Sequence, residues 1–138
     1  MAKESGLGMT IGVDDSGGTL RQIENDITNV QWNMASGEQD VTGVDKSAHE
    51  RLLLLADFSI SLTAVFNDAA TTSMFAVFKN YRTLFTGQVG RTTTIIHSGQ
   101  TLSNEVLYTD FPFARNADGS FVATVPGALA SGTVPAWS

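Results

Sequence analysis

The chain has 138 residues, of which 42% are hydrophobic, with no cysteine and a formal net charge of −6. This length and composition are typical of a single globular domain over residues 1–138, and they exclude a disordered chain, a disulfide framework and a thiolate metal site. No apolar run reaches the ~20 residues that span a membrane, and the N-terminus lacks a hydrophobic signal segment, so we expect synthesis in the cytoplasm.

The first predicted element is a β-hairpin. Residues 9–13 and 19–23 flank the sequence Asp-Asp-Ser-Gly-Gly, in which the glycines supply the positive φ that a tight turn needs. The paired aspartates resemble the start of a calcium loop. No EF-hand ligand pattern follows them, so we expect no metal here.

A half-buried strand is predicted next, over residues 27–34, where Val30, Trp32 and Met34 share one face. Residues 35–50 are polar, contain two glycines and predict a long loop, with room for a short strand at residues 41–42. A loop of this length in a small domain is usually functional, and the alternative is a plain surface excursion.

The strongest pattern in the chain is the alternation over residues 57–66. Apolar residues occupy every second position from Phe58 to Phe66, and Ser59, Ser61 and Thr63 lie on the opposite face. We therefore expect this strand to be the centre of a β-sheet. The preceding run of four leucines, residues 52–55, predicts either a fully buried strand or one helical turn pressed onto the core.

One amphipathic helix is predicted over residues 70–85, packed on the sheet. Its apolar stripe and candidate end signals are Met74, Val77, Phe78, Tyr81, Leu84 and Phe85, with Asp68, Thr71 or Thr72 as cap, Lys79 and Arg82 near the C-terminal end, and Gly87 as stop. Core packing explains such a stripe better than a cofactor site does.

Three further strands are predicted over residues 91–97, 105–113 and 121–125, the last ended by Pro126 and Gly127. The C-terminal residues 127–138 form an arm with no partner in its own stretch. Val134 and Trp137 stay exposed there unless another element or another subunit covers them. The fold class is therefore mainly β, a barrel or sandwich of about seven or eight short strands with one flanking helix.

No catalytic signature is present. The two histidines, His49 and His97, do not belong to a hydrolase, zinc or nucleotide motif, and adjacency of His97 and Ser98 does not make a dyad. Asp57 and Asp110 form a possible carboxylate pair, but charges at strand ends are the more ordinary explanation. We therefore expect no enzyme activity and no cofactor.

Several segments resemble the tail tube (major tail) proteins of long-tailed bacteriophages. The most specific is VTGVDKSAHERLLLLADFSISLTAVFNDA, residues 41–69, in which Ala64 stands where the family pattern leads us to expect glycine. The opening MAKESGLG, DDSGGT and NDITNVQW and the closing NEVLYTDF and PGALASGTVPAW extend the resemblance over nearly the whole chain.

The resemblance implies a structural protein of the virion tail. Six subunits would form a ring whose inner β-sheets surround a pore, and stacked rings would form a tube that conducts DNA without binding it tightly. Implied partners are further copies of the chain, a tape measure protein and tail-end proteins, with assembly in the cytoplasm of a bacterial host and no membrane. The alternative is a virion accessory protein, such as a capsid decoration or tail-end adaptor of similar build.

Two sets of site residues follow from this resemblance. Contacts with neighbouring subunits and rings are assigned to the loop 35–50 and the C-terminal arm, namely to Gln39, Asp40, Val41, Thr42, Val44, Asp45, Lys46, Val134 and Trp137. Candidate pore-lining residues are Asp14, Asp15, Glu24, Asp26, Asp57, Ser59 and Ser61. Eleven of the 14 acidic residues lie within residues 1–70, so we expect an acidic pore wall that repels DNA.

Overall fold

The computed structural model describes residues 3–138, and this part of the chain contains ten β-strands and one short α-helix. In chain order the elements are β1 Thr10–Asp14, β2 Leu20–Gln22, β3 Ile27–Asn33, β4 Ser36–Asp40, β5 Arg51–Ala56, β6 Ser59–Val65, α1 Met74–Phe78, β7 Arg91–His97, β8 Gln100–Tyr108, β9 Phe113–Arg115 and β10 Phe121–Leu129. The mainly β fold class with one helix is confirmed.

Eight strands form one antiparallel sheet in the order β2-β1-β7-β8-β10-β6-β3, with β9 also paired to β10. Apolar side chains from five of these strands and from α1 form one buried cluster, and half-buried residues of β3 pack against it. A single sheet can bury side chains from distant strands in one cluster only if it curls around them. The result is a curled sheet with α1 packed against the core.

The predicted central strand is confirmed as β6, which lies between β10 and β3. Phe58, Ile60, Leu62 and Ala64 are buried, as the alternation requires. Full burial of each large apolar side chain stabilises the fold by about 1.5–3 kcal/mol. The hairpin β1–β2 and the strand β3 also form where they were expected.

The helix is shorter than predicted, because it ends at Phe78 rather than near residue 85. The carbonyl of Val77, which a continuing helix would use, instead accepts a hydrogen bond from the buried guanidinium of Arg91. Beyond the helix the chain makes tight turns, with the Tyr81 amide bonded to the Phe78 carbonyl. The cap is Ser73, whose Oγ accepts from the Ala76 amide at 3.0 Å, and not Asp68, Thr71 or Thr72.

Two strand boundaries also differ from the prediction. β8 covers residues 100–108 instead of 105–113, and β10 continues through Pro126 and Gly127 to Leu129. β10 tolerates Pro126 because no hydrogen bond is needed from its nitrogen. The Thr124 amide points toward Pro112, in the stretch between β8 and β9. The backbone nitrogen of Pro126, two residues further along the strand, points in the same direction. The missing N–H of Pro126 therefore faces a gap in the ladder.

The segment from residue 35 to residue 56 is a separate β-hairpin rather than a loop followed by a buried element. β4 and β5 pair only with each other, and the expected strand at residues 41–42 lies instead at Ser36–Asp40. All four leucines of β5 are exposed, so the prediction that this run is buried was wrong. A two-stranded hairpin has two faces, and neither face of this one meets the core. We call residues 36–56 the arm.

No helix within residues 3–138 is both long and apolar enough to cross a membrane.

Candidate assembly surfaces

The tip of the arm is ordered by its own hydrogen bonds. Asp40 accepts bonds from the hydroxyl and the amide of Thr42, and its Oδ2 lies 3.0 Å from Nδ1 of His49. The amide of Glu50 donates to Thr42 Oγ1 at 2.8 Å. These bonds from Thr42, with a smaller contribution from His49, hold the pKa of Asp40 below its usual range.

The predicted contact residues of the loop lie on β4 and on this tip. Gln39 and Asp40 end β4, whereas Val41, Thr42, Val44, Asp45 and Lys46 belong to the tip, and all are exposed except the half-buried Thr42. Lys46 lies 3.6 Å from Asp45 and 3.7 Å from Glu50. Exposed pairs of this kind contribute little to stability, so the tip is an accessible polar surface with a defined shape.

The arm also carries four exposed leucines, Leu53 and Leu55 on one face of β5 and Leu52 and Leu54 on the other, and we call them the leucine patch. Leu53 and Leu55 are 81% and 89% exposed, respectively. Contiguous exposed apolar residues on a soluble chain mark interaction surfaces. A lone hairpin is also only marginally stable in water. Both observations make the arm a candidate surface for contact with another molecule.

A second surface is the outward side of the large sheet. The strand registers place on it mainly hydroxyl and amide side chains, which we call the polar sheet face: Thr10, Asp14, Asn29, Gln31, Asn33, Ser59, Ser61, Thr63, Thr92, Thr94, Thr101, Ser103, Glu105 and Thr124. Of the predicted pore residues, Asp14, Ser59 and Ser61 belong to this face. It carries two carboxylates and no basic residue.

Those two carboxylates are joined through one hydroxyl. Thr92 lies between Asp14 and Glu105, and its Oγ1 bonds to Glu105. Partial burial, together with the negative charges of Glu105 and Asp15, raises the pKa of Asp14, against the lowering effect of a hydrogen bond with Thr92. Glu105 was not predicted from the sequence as a residue of this face, because the start of β8 was placed five residues too late. The alternation of polar residues from Thr101 to Glu105 therefore fell largely outside the predicted strand.

Asp26 is not on any surface, so its prediction as a pore-lining residue was wrong. Its side chain is buried, with Oδ2 accepting from the Met74 amide and Oδ1 from Asn67 Nδ2, both at 2.8 Å. A carboxylate at the first turn of a helix satisfies an otherwise unpaired N–H and the positive end of the helix. Asp26 therefore attaches α1 to the turn before β3.

The other predicted pore acids are dispersed. Asp15 orders the β1–β2 turn, with bonds from the Gly17 and Thr19 amides and from Nε of Arg21 at 3.0 Å. Glu24 is half-buried in the link between β2 and β3. Asp57 is exposed at the base of the arm, where its Oδ1 accepts from the Phe58 amide. The prediction of an acid-lined wall built from residues 14–57 therefore finds only Asp14 on the polar sheet face.

The C-terminal arm folds back onto its own chain. Trp137 pairs with Leu102 of β8, and its ring centroid lies 6.2 Å from that of Trp32. Ser138 exchanges two hydrogen bonds with Thr101, each 2.8 Å long. Trp137 is thus partly covered within the chain, whereas Val134 remains exposed.

A third surface was not predicted from the sequence. Five phenylalanines with neighbouring ring centroids 4.7–6.3 Å apart close one end of the core, and we call them the aromatic cluster: Phe66, Phe75, Phe111, Phe113 and Phe121. Phe66 is 42% exposed and Phe121 is 41% exposed. These residues come from four separate segments of the chain, which the tertiary fold brings together.

The candidate catalytic residues do not form a site. His97 Nε2 bonds to the carbonyl of Ser5 at 2.7 Å, and Asp110, like Asp57, accepts a hydrogen bond from the next amide in the chain. Within residues 3–138, no three His, Asp or Glu side chains lie close enough together to hold a metal ion.

Comparison of the whole fold with solved structures gives full-length matches. One is a chain from the tail of an empty gene transfer agent particle computed with helical refinement and C6 symmetry, with a TM-score of 0.72 and 20% identity over 99% of this chain and 98% of that chain. The chain has the fold of that tail component. A chain from the virion of a native gene transfer agent particle matches with a TM-score of 0.70, 20% identity and the same coverage. No protein-family model and no curated protein sequence matches this chain.

Proposed function

We propose that this chain is the structural subunit of the tail tube of a phage or phage-like particle, acting as one tail tube-like domain located in the virion. The observation that carries the proposal is the arm, whose four leucines are left exposed by the chain's own fold. The likeness to a chain from a gene transfer agent tail supports it, because that chain was determined within a C6-symmetric tail. The proposed role is assembly and passage of DNA, without catalysis or cofactor.

In this proposal six copies form a ring and rings stack into a tube. The arm and the C-terminal residues Val134 and Trp137 contact neighbouring copies. Identical subunits joined by different surfaces either close into rings or repeat along an axis, and a tube needs both kinds of contact. A tape measure protein and tail-end proteins would meet the tube inside and at its ends.

The polar sheet face is the part we assign to the pore. Short hydroxyl and amide side chains offer no cation to hold a phosphate, and phosphate contacts by Lys and Arg dominate binding to DNA. Asp14 and Glu105 would add a ring of negative charge to this otherwise neutral wall. DNA would therefore pass along the pore without tight binding.

Electron microscopy of the purified chain tests the proposal. We expect rings or tubes at high protein concentration, and we expect the double variant Leu53→Ser, Leu55→Ser to remain monomeric. Both leucines are exposed, so the variant should keep its free energy of unfolding within about 0.5 kcal/mol. The matched control is the double variant Thr101→Ala, Ser103→Ala on β8, which should still assemble. A chain that stays monomeric at every concentration would contradict the function.

A further inference from the structure

Two apolar surfaces of the chain lie at opposite ends of the same strand. The arm joins β6 at its start, through Asp57 and Phe58, whereas Phe66 of the aromatic cluster directly follows its end. At about 3.3 Å per residue, the seven residues of β6 separate the two ends by roughly 20 Å. Phe66 also bonds to Phe121 through its amide, which fixes the cluster at this far end.

We propose that the leucine patch of one copy binds the aromatic cluster of another copy. This inference rests on the proposed function and adds to it the surface that receives the arm. Both surfaces present exposed apolar side chains, Phe66 and Phe121 on the cluster, and aromatic residues are enriched in the buried cores of interfaces. The fold places the donor and the receptor at opposite ends, so successive copies can repeat the contact along one axis.

Charge supports the same pairing. The arm carries Glu38, Asp40, Asp45 and Glu50 against only Lys46 and Arg51. Arg115 lies directly opposite Phe121 in the β9–β10 pairing, on the same side of the sheet, and it makes no ion pair within residues 3–138. Arg115 therefore offers one cation without an ion-pair partner in the described chain to a carboxylate of an incoming arm, although the acids Asp110 and Asp118 are also exposed near the cluster.

The topology of the contact distinguishes it from the simplest alternative. Two arms could cover each other's leucines around a two-fold axis, but this contact would close at a dimer and leave the aromatic cluster exposed. A contact between two different surfaces leaves one free donor and one free receptor on every pair of copies. It therefore continues to add copies, either until a ring closes or repeatedly along an axis.

The absence of cysteine from the chain allows a direct cross-linking test. In the double variant Leu53→Cys, Phe121→Cys, oxidation should link many copies into a ladder on a denaturing gel, whereas either single variant can link only two. The matched control is Leu53→Cys, Thr94→Cys, which keeps the donor and moves the second cysteine to the polar sheet face. We expect at least tenfold more product above the dimer from the first pair than from the control.

A second pair guards against loss of packing at Phe121. Leu53→Cys, Arg115→Cys keeps all five aromatic residues, because Arg115 is exposed, and it should give the same ladder. Three results would overturn the proposal. Tubes of the unmodified chain without either ladder would remove the receiving surface but leave the tail tube function intact. Efficient dimers of Leu53→Cys alone would favour the two-fold alternative. Failure of the unmodified chain to assemble would overturn both the inference and the function.

Discussion

Arg91 is the largest fully buried side chain, and it connects the turns after α1 to the sheet. Its guanidinium donates to the carbonyls of Val77, Asn80 and Thr83, the last two at 2.7 and 3.0 Å. The rigid fork of donors in arginine suits several carbonyls at once, whereas lysine is a single point charge. A residue that resembles a surface charge in the sequence is therefore the anchor of an irregular segment.

We expect Arg91→Ala to lower the free energy of unfolding by about 3–5 kcal/mol, because it leaves the buried Val77 carbonyl without its donor and a cavity in place of a fully buried side chain. Arg91→Lys should recover only part of this loss. Urea unfolding followed by tryptophan fluorescence measures both. The matched control is Arg115→Ala at an exposed position, which should change stability by less than about 0.5 kcal/mol. Equal effects at the two positions would contradict the assigned role.

The pKa of Asp14 predicts a pH dependence of stability in the monomer. Partial burial raises this pKa in the folded chain above its value in the unfolded chain, so the folded state binds a proton more readily. Stability is then highest below the ordinary pKa of aspartate and is lost as the pH rises through the raised value. Asp14→Asn should be more stable than the parent at pH 7, by about 0.5 kcal/mol or less at such a partly exposed site.

The advantage of Asp14→Asn should disappear near pH 3, where the carboxyl group of Asp14 is mostly protonated in both the folded and the unfolded chain, because its pKa is raised by folding. Thermal unfolding at the two pH values measures the difference. A gain of the same size at both values would show that the charge of Asp14 is not its cause.

At the scale of elements, α1 depends on contacts from outside the helix. Five residues are too few for a stable isolated helix. Ser73 supplies the cap, with its Oγ accepting from the Ala76 amide and donating to the Ala69 carbonyl at 2.8 Å, and Asp26 bonds to the first turn. The helix is therefore an element that forms only on the finished sheet.

Ser73→Ala should lower the free energy of unfolding by about 1–2 kcal/mol through loss of the cap. Thr71→Ala and Thr72→Ala, at the cap positions that the sequence pattern indicated, should cost less than about 0.5 kcal/mol because both side chains are exposed. Chemical denaturation of the three variants compares them directly. A larger loss at Thr72 than at Ser73 would place the cap elsewhere.

The arm is the element of lowest expected local stability. It pairs only with itself and buries none of its leucines in the core. We expect its backbone amides in β4 and β5 to exchange with solvent at least tenfold faster in the monomer than in the assembled form, because a lone hairpin opens readily. Hydrogen-exchange mass spectrometry of both states measures this, with β6 as an internal reference that stays protected in each.

At the scale of the whole molecule, the curl of the sheet separates an apolar inside from the polar sheet face outside. If that face lines a pore, a cysteine placed on it should be shielded from large reagents after assembly. Thr94→Cys, half-buried on β7, should react with a small maleimide in both states. A large reagent, a maleimide coupled to a folded protein, should label this cysteine only in the monomer and not in the assembled form.

The control for this experiment is Gln88→Cys, in the exposed segment between α1 and β7 and outside the strands of the polar sheet face. In the assembled form, this cysteine should react with the large reagent at a rate within a few-fold of its rate in the monomer. If Thr94→Cys is labelled equally fast by both reagents in tubes, the polar sheet face is an outer surface and the pore lies elsewhere.

Much of the fold could be predicted from the sequence, because a β-strand that is buried on one face has alternating apolar and polar residues. β6 and β3 were placed correctly on this basis, and the Asp-Gly-rich turn located the β1–β2 hairpin. The candidate site was less accessible. Of seven predicted pore residues, Asp14, Ser59 and Ser61 share one face, and Asp26 is buried.

Alternation and turn residues are local properties, and they determined which segments become strands. Whether a strand has neighbours is not local. Four consecutive leucines, Leu52 to Leu55, predict a buried segment. They are exposed because β5 pairs with β4 and with no strand of the large sheet. The same holds for Arg91, whose partners lie eight or more residues away, and for the aromatic cluster, whose rings come from four separate segments. Tertiary structure decides these features, because burial and charge depend on which surfaces meet after the chain has folded.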